Sequence, residues 1–432
     1  MPKPPVKTAV ARAKVPGGSH VSRAEAVKLL DVKPATLYTY VSRGWIRRMV
    51  DGAQRRSLYS LEDIERVKAR SSARAAASVA ASGAMRYGEP IVPTSVTEVT
   101  QEGPRYRNRL AVDLAREGTP FESTAELLWT GRLSDLPRRW RAEPLPPSFL
   151  AMARGPWQAA ETPDILDLFA TSTLALGISK GRPVERATHS ASHIADAIQL
   201  LQALTGCFGV IAQARQYRPF VAGEGIAEAI VRSAAAGAAN AVATIDAALT
   251  LCADHELNPA TFVARIAASA EVDLHSGIAA AMCTASGAQV AHRCDRIESF
   301  LRESADIAAL ARGLGSDGPS PIARLAFGHP MYRDGDPRGR ALLAIVKAHH
   351  AEVAEMERVF AFVDLTARRH KLTPRIEFAL AALAVALRLP PGSAAGLYTF
   401  GRIAGWVAHM NEQGLAGFII RPRARYTHHA IT

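Results

Sequence analysis

The chain has 432 residues, of which 48% are apolar and 6% aromatic, and it carries a net charge of +12. That length exceeds one ordinary core and implies two or three domains, and abundant alanine with few aromatics favours closely packed helices over sheet. No uninterrupted apolar run reaches the roughly 18–20 residues of a membrane span, and the basic start MPKPPVKTAVARAK lacks the apolar core of a secretory signal. Cys207, Cys252, Cys283 and Cys294 have neither zinc-ligand nor disulfide-framework spacing, so no metal is expected and a reducing cytoplasm is the expected setting.

The charge is concentrated at one end. Residues 1–75 carry a net +10, and the remaining 357 carry +2. Residues 1–20 read as a disordered basic tail. Ser22 then suits an N-cap for a short helix turning Ala24, Val27, Leu29 and Leu30 inward. Pro34 restarts the chain as a second helix, Ala35 to Ser42, exposing Thr36, Tyr38, Thr39 and Arg43 and burying Leu37 and Val41. Trp45 to Arg48, a turn at Asp51-Gly52, and Arg55 to Tyr59 read as a basic hairpin, and Ser60 caps a further helix through Arg70. This order over 21–70 resembles the winged helix-turn-helix head of MerR-like and excisionase-like regulators. The resemblance implies that the second helix reads DNA and that Arg55 and Arg56 meet phosphates. Without it, a small basic adaptor is the competing reading. Residues 71–85, with SSARAAASVAASG, read as a linker.

Beyond the linker, Ile91–Val99 and Arg105–Arg109 read as extended, and helical periodicity dominates thereafter. Phe121 to Thr130 forms a helix closing on Gly131. Ile194–Ile211 and Gly225–Cys252 each read as one long helix, followed by Asn258–Ala270 and Leu274–Ser286. Loops are expected at Gly315–Pro321, Arg333–Arg338 and Leu389–Gly392.

Four segments place ionisable residues within apolar helices. They are ADHELN (253–258), FGHPMYR with DPR (327–338), RIAGW (402–406) and RPRARY (421–426). Singly, each has an ordinary structural explanation. Together with TSVTEV (94–99), RYR (105–107) and FESTAELLWTGRL (121–133), they resemble the citrate synthase family over residues 85–430. The resemblance implies a mainly α fold, with a large helical domain (86–295 and 379–432) and a smaller one (296–378) behind the winged head. It implies a homodimer that uses acetyl-CoA or another acyl-CoA as co-substrate, with no permanently bound cofactor. Arg338, Arg402 and Arg421 would grip the carboxylates of oxaloacetate or citrate, Arg421 from the second subunit. His255 and His329 would hydrogen-bond the oxo-acid, His329 polarising its ketone, and Arg333 would meet phosphates of coenzyme A.

Two positions depart from the family pattern. A GPLHGGAN-like segment normally supplies the histidine that donates to the thioester oxygen. Here the stretch is GAQVAHRC (287–294), which puts Val290 at that position; His292 lies about 200° around a helix from it. Glu377 stands where the family has an aspartate base. A misplacement near 1 Å costs roughly 100-fold, and a lost oxyanion donor roughly 100- to 1000-fold. The sequence therefore supports an acyltransferase of low activity, with His329 and Glu377 as catalytic residues, or a degenerate synthase kept as a metabolite sensor for a DNA-binding head.

Overall fold

The structure, a computed structural model, describes residues 20–30, 32–42, 46–50, 56–61, 63–64, 67, 92–134, 139–155, 161, 163–181, 190–287, 291–314 and 318–422. The chain divides into two compact units, one comprising Met1–Pro93 with Arg423–Thr432 and the other Thr94–Pro422. The sequence-based readings of the tail, the linker, Arg43, Arg55, the Asp51-Gly52 turn and Val290 fall outside the described residues.

In the small unit, β1 (His20–Ser22) leads into α1 (Arg23–Leu30) and α2 (Pro34–Ser42), followed by β2 (Arg48–Val50) and β3 (Ser57–Ser60). The strands form an antiparallel sheet in the order β1-β3-β2. Ser22 and Glu25 form a reciprocal box, with Ser22 N–H donating to the Glu25 carboxylate and Glu25 N–H to Ser22 Oγ. Ala26, Leu37, Ile46, Tyr59, Ile64 and Val67 make the core. The expected inward face of α1 is corrected: Ala24 and Leu29 are exposed, and Ala26 is the fully buried residue. A two-turn helix is too short for periodicity to fix its phase, which here turns Ala26 into the same core as Tyr59 and Ile64. Arg47 is used internally, its backbone N–H and guanidinium gripping buried Asp63 at 2.8–3.1 Å.

Thr94–Pro422 begins with an antiparallel sheet of β4 (Thr97–Thr100), β5 (Gly103–Tyr106) and β6 (Arg109–Leu110). Helices follow as α3 (Ala111–Arg116), α4 (Phe121–Thr130), α5 (Pro147–Ala153), α6 (Ile165–Lys180), α7 (Ser190–Thr205), α8 (Cys207–Ile211), α9 (Ile226–Ala234) and α10 (Ala241–Cys252). Then come α11 (Pro259–Ser269), α12 (Leu274–Ala285), α13 (Ala291–Glu303), α14 (Ile307–Arg312) and α15 (Pro321–Ala326). The series ends with α16 (Pro337–His350), α17 (Ala354–His370), α18 (Ile376–Ala386) and α19 (Ser393–Ala416). Many boundaries follow local chemistry. Asn258, Asp273, Ser320 and Asp336 cap their helices through side-chain oxygens, and Gly131 closes α4 in the left-handed region at φ 75°.

Two expected long helices are each broken. The helix read over 194–211 splits at Gly206, where an added Cβ would lie 2.5 Å from the Tyr217 ring, a close approach only glycine allows. The helix read over 225–252 ends at Ala234 and restarts at Ala241, with Ala235 and Asn240 both left-handed at φ 56° and 57°. His193–Ile211 is long and apolar enough to cross a membrane by length and composition, but 72% of that window is buried inside the protein.

α18 and α19 run through the centre. Every residue of α18 is buried, as is nearly all of α19 through Met410. Gly405 lets α19 approach the end of α10, with its N–H donating to Ala253 O at 2.9 Å. A Cβ there would sit 2.3 Å from Asp254 Oδ1. Gly405→Ala is expected to destabilise by about 1–3 kcal/mol through overpacking. Gly414→Ala, with open space around its Cβ, is expected to be neutral or slightly stabilising. Denaturant midpoints compare the two, and equal midpoints would show that the contact at Gly405 tolerates a methyl group.

Candidate active site

The site assembles where the ends of several helices meet. After α10, Tyr106 Oη accepts from Asp254 N–H and lies within hydrogen-bond distance of the carbonyls of Thr250 and Asp254, fixing the turn that delivers His255. The loop after α15 is pinned by backbone bonds, Gly328 N–H to Thr373 O and Arg375 N–H to Ala326 O. Gly328, at φ 68°, turns the chain into His329. The rings of His255, His329 and Tyr332 gather within 4.8–5.7 Å of one another, centroid to centroid, and His255 Nε2 lies 2.7 Å from Tyr332 Oη.

Two buried arginines face this group. Arg338 is held bidentately by Asp336, through Nε at 3.0 Å and Nη2 at 2.8 Å, leaving Nη1 buried with no hydrogen-bond partner among the described residues. Arg402 donates through Nη2 to Tyr398 Oη, while Nε and Nη1 have no hydrogen-bond partner among the described residues. Its Nη1 lies 3.6 Å from Asp254 Oδ1, close enough for an ion pair and too long for a hydrogen bond. Buried N–H groups of this kind are costly to leave unmade, so they mark where an anion fits.

Asp254 is itself oriented from behind. Arg265 can only donate, so its 3.4 Å contact to His409 Nδ1 leaves Nε2 to donate to Asp254 Oδ2 at 3.2 Å. Arg265 is in turn paired with Glu412 at 2.7 Å, and Glu412 accepts from Thr94 and Ser95. Burial alone would raise the Asp254 carboxyl, but His409 and Arg402 outweigh it and hold the group below the ordinary carboxylate range.

The histidines are driven to the neutral form. Burial, then the fields of Arg338 and Arg402, push His255 well below its ordinary value. Burial and Arg338 push His329 down to about 4. Met331 N–H donates to His329 Nδ1 at 3.2 Å, so the proton of the neutral ring is on Nε2 and free to be donated.

Glu377 opens α18 beside this group, where Ile376 N–H donates to Asp336 Oδ2 at 3.1 Å. Its Oε1 accepts from Arg293 Nη1 at 3.3 Å, and its Oε2 is buried with no hydrogen-bond partner among the described residues. Arg293, Tyr332, Asp254 and Asp336 were not singled out as site residues from sequence. The DPR and ADHE motifs could have flagged the two aspartates, whereas nothing in the spacing marked Arg293. His292 is no stand-in for a residue at 290: its side chain is 54% exposed, 3.6 Å from Asp295. Arg333 is exposed, with its N–H donating to Gln101. Arg421 is exposed too, one residue past Ile420, whose N–H donates to Ser269 Oγ. Structure thus brings together His255, His329, Arg338, Arg402 and Glu377, with Arg333 and Arg421 exposed.

The family model for the citrate synthase C-terminal domain matches residues 86–423. The chain belongs to the citrate synthase family. It is 30% identical over 189 residues to citrate synthase 2 of Bacillus subtilis, covering 43% of this chain and 51% of that protein. It is 32% identical over 193 residues to a putative citrate synthase 2 of Mycobacterium tuberculosis, again covering 43% and 51%. A 2-methylcitrate synthase of Shewanella oneidensis matches at 29% over 189 residues, covering 42% and 49%. The chain thus spans about half the length of the curated relatives it matches. Among solved structures, citrate synthase of Thermoplasma acidophilum in a ternary complex with carboxymethyl coenzyme A and oxaloacetate superposes with a TM-score of 0.66 at 20% identity, covering 80% of this chain and 96% of that one. The Pyrobaculum aerophilum enzyme gives 0.63 at 21%, covering 79% and 92%. These likenesses establish the fold.

A histidine held neutral by the fold contributes stability that is complete above its unfolded value and is lost as pH falls toward its folded value. For His329 that window runs from 6.5 down to about 4. Unfolding midpoints measured from pH 8 to 4.5 are expected to fall, with a shallower decline in His329→Asn. Superimposable profiles would mean that His329 is not held neutral.

Proposed function

We propose that Thr94–Pro422 is a citrate synthase-type acyltransferase that condenses acetyl-CoA, or another acyl-CoA, with oxaloacetate. The observation that carries this reading is the pair of buried guanidinium groups, Arg338 and Arg402, whose free N–H groups sit beside two neutral histidines and a buried carboxylate. Two carboxylates of the oxo-acid would take the place of the absent partners of Arg338 and Arg402. His329 Nε2–H would donate to the ketone oxygen, making its carbon electrophilic, and His255 would hold the same ligand from the Tyr332 side. Glu377 would remove the proton from the acyl methyl group. Exposed Arg333 would meet coenzyme A phosphates, and Arg421 would complete the carboxylate grip of a second copy in a homodimer. The family resemblance supports these last two roles.

A second reading, a metabolite sensor with little or no turnover, is favoured by one observation. The candidate base is ion-paired with Arg293, and valine occupies position 290. Thiol release from acetyl-CoA or propionyl-CoA with oxaloacetate separates the two. Turnover is expected to survive His292→Ala and to vanish with Glu377→Gln. No release from the wild-type chain, with oxaloacetate still raising the melting temperature as for a ligand of the native state alone, would establish the sensor reading and sink the enzyme.

We also infer that the small unit binds DNA. α2 presents Tyr38 and Thr39 to solvent with Thr36 half-buried beside them, and Arg48 and Arg56 are exposed on the strand pair and its approach. Binding is expected to weaken steeply with salt, and Arg48→Ala/Arg56→Ala to reduce the slope of log K against log salt by about one per lost phosphate contact. An unchanged slope would remove these arginines from the interface.

A further inference from the structure

The turn between β4 and β5 consists of Gln101 and Glu102, and its own bonds hold it in shape. Thr100 pairs with Gly103 across the strands, Thr100 Oγ1 donates to Gly103 O at 2.9 Å, and Glu102 is ion-paired with Arg105 at 2.7 Å. A Cβ on Gly103 would lie 3.4 Å from Pro337 Cγ, so the hairpin rests on the first residue of α16. From its tip the Gln101 amide reaches the loop that carries His329. Its Nε2 donates to Met331 O at 2.9 Å, and its Oε1 accepts from Arg333 N–H at 3.0 Å. A carbonyl can only accept and a backbone N–H only donate, so the two contacts fix which way the amide faces. Other polar groups of this stretch are paired inside the loop. Met331 N–H donates to His329 Nδ1 at 3.2 Å, and Tyr332 N–H donates to His329 O and Gly335 N–H to Tyr332 O, each at 3.3 Å. Gln101 thus takes up two groups that these bonds leave over, one on either side of Tyr332.

We propose that Gln101 is a positioning residue of the site, clamping the 331–333 backbone so that His329 and Tyr332 keep the geometry that meets the oxo-acid. The inference rests on the condensing reading above. The path from amide to ring is short on both sides of the clamp. Met331, whose carbonyl takes the Nε2 donation, gives its own N–H to His329 Nδ1, and that bond leaves the ring proton on Nε2. Tyr332, between the two clamped residues, holds His255 Nε2 at 2.7 Å from its hydroxyl oxygen. One side chain therefore acts on both histidines through the loop. Gln101 is exposed, where a single hydrogen bond competes with water and contributes little. Two bonds made together, from a tip already fixed by its own contacts, lose less to ordering. A glutamate or a lysine at 101 could make only one of them, whereas an amide carries a donor and an acceptor side by side. A shift of the loop by about 1 Å would leave the fold intact, yet cost roughly 100-fold in a reaction that needs His329 Nε2 to reach the ketone oxygen.

The test uses the full chain and three readouts: thiol release from acetyl-CoA with oxaloacetate, oxaloacetate affinity by calorimetry, and amide hydrogen exchange in the peptide spanning 327–336. Gln101→Met keeps the length of the side chain and loses both bonds. It is expected to lower kcat by about 10- to 100-fold and to speed exchange at Arg333 N–H, with the melting temperature reporting that the variant is folded. Oxaloacetate affinity should stay within about threefold of wild type, because Arg338 and Arg402 are untouched. Gln101→Glu keeps an acceptor for Arg333 N–H and loses the donor to Met331 O, so it is expected to fall between the two in kcat and in exchange. Glu102→Gln, on the same turn but facing Arg105, is expected to match wild type in all three readouts. Wild-type kcat or wild-type exchange in folded Gln101→Met would overturn the role of Gln101 and leave the condensing reading standing. Affinity lost as heavily as kcat would mark a general loosening of the site and overturn it too. A wild-type chain that releases no thiol sinks the condensing reading. Faster loop exchange in Gln101→Met would then still support the clamp, and unchanged exchange would overturn it.

Discussion

Much of the candidate site hangs on one buried carboxylate. Asp336 accepts from the backbone N–H, Nε and Nη2 of Arg338 and from the backbone N–H of Ile376, and it is fully buried. Those bonds cap α16, aim a guanidinium inward and fix the start of α18, where Glu377 stands. Burial would drive the Asp336 carboxyl up, but Arg338 holds it below its ordinary range, so the pair stays ionised where water is absent. Removing one partner of such a pair typically costs about 3–5 kcal/mol, because the other charge is left stranded. The relative placement of the Arg338 guanidinium and the candidate base is therefore tied to the stability of the body.

Asp254 does the same work on the other side. Its carboxylate is held by His409 and faces Arg402, and His409 is set by Arg265, itself anchored on Glu412 and the Thr94-Ser95 segment. This line of polar groups crosses a helical core made mostly of alanine, leucine and other apolar residues. A charged residue in such a core must have its directions specified, since each unmet N–H or lone pair carries a desolvation cost. The specification is nearly complete at Arg265 and Asp336. Among the described residues it stops, in and around the site, at Asp254 Oδ1, at Arg338 Nη1, at Arg402 Nε and Nη1, and at Glu377 Oε2. Burial and the field of Arg338 then keep His255 and His329 uncharged, so both act as neutral hydrogen-bond partners.

Local chemistry made part of this readable in advance. Phe121–Thr130 ends on a left-handed glycine, and Asn258 and Asp336 cap helices, because those signals lie within one turn of the boundary. The motifs named His255, His329, Arg338, Arg402 and Glu377, and the fold brings them together. Breaks within apolar segments were not readable. The hydrophobic period continues across Gly206 and across Ala235–Asn240, and the glycine at the first break packs against a ring at Tyr217, supplied by another part of the chain. Arg293 was missed for a related reason. An arginine on the first turn of an amphipathic helix reads as solvated, and its partner lies 84 positions away.

The site separates holding a ligand from transforming it. Arg338 and Arg402 are preorganised by protein carboxylates and a tyrosine, so an arriving anion would meet donors already in place and lose little to reorganisation. A ligand that satisfies those N–H groups favours whichever arrangement of the body brings them nearest, and this differential contact is what any conformational signal would require. Such a signal needs no proton transfer. Turnover would demand more, because a base must take up a proton and the negative charge it gives up must reappear on a substrate atom that meets a donor.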